Sequence, residues 1–177
     1  MVPDIIAPGL DVLFVGYNPG VASDSQSHHF AGPGNLFWAL LVDSQFTPYR
    51  LRPENDRDLL LFRLGITNIV DRMTPSSADL SLQEMSQGAQ GLAEKIRQFQ
   101  PKMVCFLGKD IFRAFVGYKR SMPVSWGYVM ADNRDGPGFF VAPNPSRRST
   151  IPYGLRLYYF RSLANIVRYG VHPHIMP

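Results

Sequence analysis

An apolar run at residues 11–16, DVLFVG, stops on an amide in a tight turn, Tyr17-Asn18-Pro19-Gly20. An Asn amide has no useful pKa and cannot be a general base, but it can orient a water by hydrogen bonding. Gly20 removes a side chain where something must approach closely. Backbone N–H groups after a strand end can cradle an acceptor or a developing anion. Asn-Pro-Gly is also simply a good turn. A second apolar run ends the same way, at Asn144-Pro145, and continues as Ser146-Arg147-Arg148-Ser149-Thr150. Small hydroxyls and paired arginines in a loop are phosphate-contact chemistry. Between the two turns lies HHFAGPGNLFW, residues 28–38, with two histidines, Phe30 and a Gly-Pro-Gly. An exposed aromatic in such a loop can stack on a planar ligand.

These residues need elements to position them. Apolar runs at 11–16, 103–108 and 138–142 read as buried strands, and 65–70 as a short extended piece. Helices are expected over 34–43, 59–64, 81–100, 109–117 and 154–170. The clearest is 81–100. Ser81 and Glu84 have capping-box spacing, and Leu82, Met85, Ala89, Leu92, Ile96 and Phe99 recur on one face before Pro101 ends it. Strands alternating with helices predict an α/β fold, a three-layer α/β/α sandwich with a mainly parallel central sheet. Ligands sit beyond the carboxyl ends of such strands. That rule brings both Asn-Pro turns to one edge.

The 177 residues fit a single domain over 1–177, and a 45% hydrophobic composition supplies its core. The start MVPDIIAPGL does not read as a signal peptide, and no run approaches the ~18 apolar residues of a membrane span. A soluble, cytoplasmic protein is expected. One cysteine, Cys105, excludes disulfides, multi-cysteine zinc sites and iron–sulfur clusters, and reads as a buried structural thiol. Net charge is +4, and Arg147, Arg148, Arg156, Arg161 and Arg168 follow the last carboxylate, Asp135. A one-sign terminal third suits a polyanionic partner.

Together GYNPG, HHFAGPGNLFW, GITNIVDRMTP and APNPSRRS resemble, in order and over about residues 4–168, the mismatch-specific uracil/thymine-DNA glycosylases of the uracil-DNA glycosylase superfamily. The resemblance implies a monofunctional glycosylase without metal or cofactor, acting as a monomer on double-stranded DNA with G·U or G·T mismatches, and flipping the base before cutting. Asn18 then corresponds to the catalytic Asn that positions water, and Phe30 to the ring that stacks on the flipped base. Gly20 stands where the uracil-only branch carries a Tyr that blocks the 5-methyl of thymine. Asn68 corresponds to a position that contacts the base or its pocket, with Thr74 assisting. Asn144, Pro145 and Ser146 match the motif that approaches the minor groove. Within Arg147, Arg148 and Ser149, Arg148 takes the wedge position. Ser23 and His29 fall near the sugar or phosphate of the flipped nucleotide, and His28 shares the His-rich turn. One departure is Tyr17, where the family has a small aliphatic residue. Its backbone N–H alone would leave the pocket open, whereas its ring in the pocket would narrow base choice.

Two other classes remain in view. A non-catalytic binder of mismatched or abasic DNA would need the arginines but not Asn18. A nucleotide or coenzyme binder would show a G-x-G-x-x-G or G-K-[ST] loop, and neither is present.

Overall fold

The computed structural model describes residues 1–129 and 136–171; Asp135, the last carboxylate, lies outside them. Five strands form the sheet: β1 (Val12–Gly16), β2 (Leu64–Asn68), β3 (Met103–Phe106), β4 (Gly127–Val129) and β5 (Gly138–Val141). Their order is β2-β1-β3-β5-β4, with every neighbouring pair parallel except β4 against β5.

Side-chain alternation assigns the layers. In β1, Val12 and Phe14 face one side, Leu13 and Val15 the other. The first face is covered by α2 (Phe37–Asp43) and α5 (Tyr153–Tyr169), the second by α3 (Leu82–Phe99) and α4 (Lys109–Val116). Burial on both faces explains why the strands read as continuous apolar runs. Phe14 is fully buried, edge-on to Phe37 at 5.3 Å and stacked on Phe160 at 6.0 Å. Its truncation to Ala would cost about 3–5 kcal/mol. Cys105 is also fully buried, and burial pushes its thiol pKa well up. This is an inert core thiol.

Helix α3 starts with the capping box read from the sequence: Ser81 Oγ accepts the Glu84 N–H, and Glu84 Oε2 accepts the Ser81 N–H. Gln100, in left-handed conformation, ends it before Pro101. Elsewhere the sequence expectation shifts. The helix expected at 59–64 is a 3₁₀ stretch over Pro53–Phe62, and Leu64 already belongs to β2. Helix α1 (Val21–Gln26) and strand β4 were not anticipated. The first is six residues without a side-chain cap, the second only three residues at the sheet edge, so neither carries a periodic signal.

Parallel β1, β2, β3 and β5 point their carboxyl ends at one edge. There Gly16 is in register with Asn68. The turns carrying Asn18 and Asn144 leave β1 and β5, on either side of β3.

Candidate active site

At that edge lies a cleft of about 680 Å³. Asn18 stands in its wall, and its amide is tied down by the segment after β2. Nδ2 donates to the Arg72 carbonyl at 2.8 Å and to Thr74 Oγ1 at 2.7 Å. Thr74 uses its single hydroxyl hydrogen on the Ser76 carbonyl at 2.6 Å. Thr74 can therefore only accept from Asn18, and a carbonyl can only accept. Both partners demand the NH₂ end of the amide, which fixes its orientation. Among the described residues no donor reaches Oδ1. The turn presents an oriented acceptor to the cleft, which is what holding a water requires.

Beside it sits Phe30, at φ 51°, stacked on Phe37 with ring centroids 4.2 Å apart. A methyl placed on Gly16 would fall 2.6 Å from Asn68 Oδ1 and 3.7 Å from Phe30 Cζ. Glycine at 16 thus leaves the space in which the Asn68 amide and the Phe30 ring meet. Asn68 is buried, and among the described residues its amide has no hydrogen-bond partner. Gly20 borders open space: a side chain there would meet nothing within 4 Å.

The loop carrying Phe30 is anchored by its neighbours. His29 is buried, its backbone N–H donates to Asp56 Oδ2 at 3.0 Å, and its Nε2 lies 2.9 Å from the Pro3 carbonyl. Facing a carbonyl, Nε2 carries the hydrogen. Burial holds the His29 pKa below its usual 6.5, so the ring is neutral near pH 7. Ser23 Oγ accepts the Ala31 N–H at 3.1 Å. Both residues border the cleft, and both brace the Phe30 loop.

The second loop closes the opposite side. Asn144 Oδ1 accepts the Ser146 N–H, Ser146 Oγ the Arg148 N–H, and Ser149 Oγ the Ile151 N–H. Pro145 is buried just behind the wall, and its carbonyl accepts the Leu36 N–H, joining this loop to the Gly-Pro-Gly segment. Arg147 and Arg148 are exposed at the cleft. The Arg147 stem lies across Gly34, where an added Cβ would come within 3.0 Å of Arg147 Cδ.

The structure brings Asn18, Tyr17, Gly20, Ser23, His29, Phe30, Asn68, Thr74, Asn144, Ser146, Arg147, Arg148 and Ser149 to one cleft. Tyr17 borders the cleft, and its ring packs against the core on the α3/α4 face. Its hydroxyl lies against Gly108, 2.6 Å from where a Cβ would be, on the α3/α4 side of the sheet and away from Phe30. Burial there pushes its pKa up to about 12. The structure also divides the arginine series. Arg156 is buried, and Arg161 and Arg168 donate to the Asp43 and Gln45 carbonyls at the end of α2, so only Arg147 and Arg148 face the cleft. Sequence reasoning missed Asp56, the Arg72 carbonyl, Ser76 and Arg156. Asp56 lies in an irregular charged stretch, and the other contacts involve backbone atoms, so no residue pattern marks them.

Among the described residues no three His, Cys, Asp or Glu side chains gather as a metal centre would need, and no helix is long and apolar enough to cross a membrane. The family model of the uracil DNA glycosylase superfamily, whose members hydrolyse N-glycosyl bonds in DNA during base-excision repair, matches residues 3–168. That match spans both Asn-Pro turns, the Phe30 loop and the segment that locks Asn18, and the chain belongs to the uracil DNA glycosylase superfamily.

Proposed function

We propose that this protein is a mismatch-directed glycosylase that excises uracil, and more weakly thymine, opposite guanine in double-stranded DNA. The observation that carries this reading is the locked Asn18 amide, with its oxygen left for a water beside the Phe30 ring. The flipped base enters the cleft and stacks on Phe30, which Phe37 backs. Asn68 offers an unpartnered amide to its polar edge. The open side at Gly20 admits a 5-methyl group.

An amide cannot accept the proton of the attacking water. The glycosidic bond must therefore break ahead of water addition, giving an oxocarbenium-like sugar and a departing base anion. Asn18 Oδ1 holds the water in line for the anomeric carbon, and the resulting hydroxyl releases its proton to solvent. Activation is weaker than with a carboxylate, so turnover is slow. Arg147 contacts backbone phosphate and Arg148 fills the vacated stack, a role suited to a planar, permanently charged group. The enzyme acts as a monomer without a cofactor.

The test is single-turnover excision from U·G, U·A, T·G and single-stranded U. The expected order puts U·G above U·A, single strands and T·G, and excess chelator changes nothing. Equal rates on U·G and U·A would refute mismatch selectivity. Loss of activity in chelator, restored by zinc or magnesium, would refute the metal-free reaction.

A further inference from the structure

Arg156 sits in the first turn of α5 and is buried. Among the described residues no carboxylate lies within ion-pair reach of it. Its guanidinium instead donates to four backbone carbonyls of one loop. Nε reaches Ile151 O at 2.7 Å, Nη1 reaches Ser146 O at 3.1 Å and Asn144 O at 3.3 Å, and Nη2 reaches Ser149 O at 3.0 Å. Burying an unneutralised cation is costly, and burial lowers its pKa. Such a group persists where its hydrogen bonds are all made, and only a rigid planar fork meets four carbonyls at once.

The geometry has a directional consequence. Carbonyls at 144, 146, 149 and 151 turn inward to one cation. The same loop carries Arg147 and Arg148 outward at the cleft. We propose that Arg156 is a positioning residue, whose fork of donors pre-forms loop 144–151 so that Arg147 and Arg148 meet duplex DNA already aimed. It touches neither base nor sugar and acts through the loop. The activity arm of this inference rests on the glycosylase reading above; the loop arm does not.

The test uses the full chain with Arg156→Lys, which keeps a charge but not the fork, and Arg156→Gln as a second variant. Hydrogen exchange is read at Ser149 and Ile151, whose N–H groups are bonded within the loop. Exchange there should speed by about tenfold or more while β1 and β3 stay unchanged. Misplacing a loop by an ångström costs up to about 10²-fold in rate. Uracil release from U·A should fall toward that limit and from U·G less. Single-stranded U, which needs no base pair opened, should stay within about threefold. Wild-type exchange in both variants would overturn the proposal, as would single-stranded U falling in step with the duplexes. If the wild type releases uracil from no substrate, the glycosylase reading fails and exchange alone decides the role of Arg156.

Discussion

Asn18 uses both amide hydrogens on the protein, and this decides what substitution there should do. A carboxylate is the stronger water activator in isolation. Asn18→Asp, however, would set an oxygen against the Arg72 carbonyl, now 2.8 Å from a donor. An unmatched polar pair of this kind costs about 1–3 kcal/mol. Asn18→Asp should therefore excise uracil from U·G no faster than wild type at neutral pH, with part of the loss recovered in acid as the carboxyl regains a hydrogen. A faster variant would contradict the locked-amide account. His29 makes a second residue-scale case. Its pKa is lowered by burial, so the unfolded chain takes up the proton first as pH falls. Its contribution is intact above about 6.5 and is lost progressively below it. Thermal unfolding should thus move to lower temperature between about pH 7 and about pH 5.5. His29→Gln keeps a donor for Pro3 but does not titrate, and should flatten that slope. An unchanged slope would mean that His29 charges at no cost.

Among the elements, α3 has the most direct mechanical link to the site. Gly88 lies inside it, where Ala would ordinarily stabilise by roughly 0.5–1 kcal/mol. A Cβ at 88 would fall 1.8 Å from the Ile69 carbonyl. Ile69 and Val70 are bonded to Gly16 and Tyr17, and the same segment runs on to Arg72 and Thr74, which hold Asn18. Gly88→Ala should destabilise by about 1–3 kcal/mol as overpacking does, and should slow excision as well. Differential scanning calorimetry with single-turnover rates reads both; a raised Tm would refute the close contact. This helix was also the most legible element in the sequence, because eighteen residues carry both a cap and a repeating apolar face. The sequence showed nothing of why Gly88 is glycine, since that depends on a carbonyl from a distant segment. The stretch at 53–62 differs from the later, shorter helix expected at 59–64 because Leu59 to Leu64 is apolar except for Arg63, and so short a run does not distinguish the end of a 3₁₀ stretch from the start of a strand.

For the whole molecule, charge placement matters more than the net +4. The arginine-rich last third looked like one basic stripe, yet three of its five arginines are bonded to the protein's own carbonyls. Arg147 and Arg148 remain at the cleft. Arg147→Ala should weaken all duplexes about equally and lower the salt slope by about one. Arg148→Ala should slow U·A most and single-stranded U least. A loss on single strands equal to that on U·A would make both arginines phosphate clamps. The cleft itself was legible because its chemistry sits in turns that interrupt apolar runs, at Asn18 and Asn144. Its supports were not, because Thr74 reaches Asn18 across 56 positions and Asp56 reaches His29 across 27. The claim that joins these scales is that Asn18 performs chemistry while the rest of the cleft binds. Asn18→Ala, assayed for U·G affinity and for single-turnover uracil release, tests it most directly. The account predicts duplex affinity within a few fold of wild type and a loss of roughly 10²–10³ in rate, by analogy with removal of one oriented polar group from a transition state. Release at the wild-type rate would contradict it, and would return Asn18-Pro19-Gly20 to a turn that shapes the chain and nothing more.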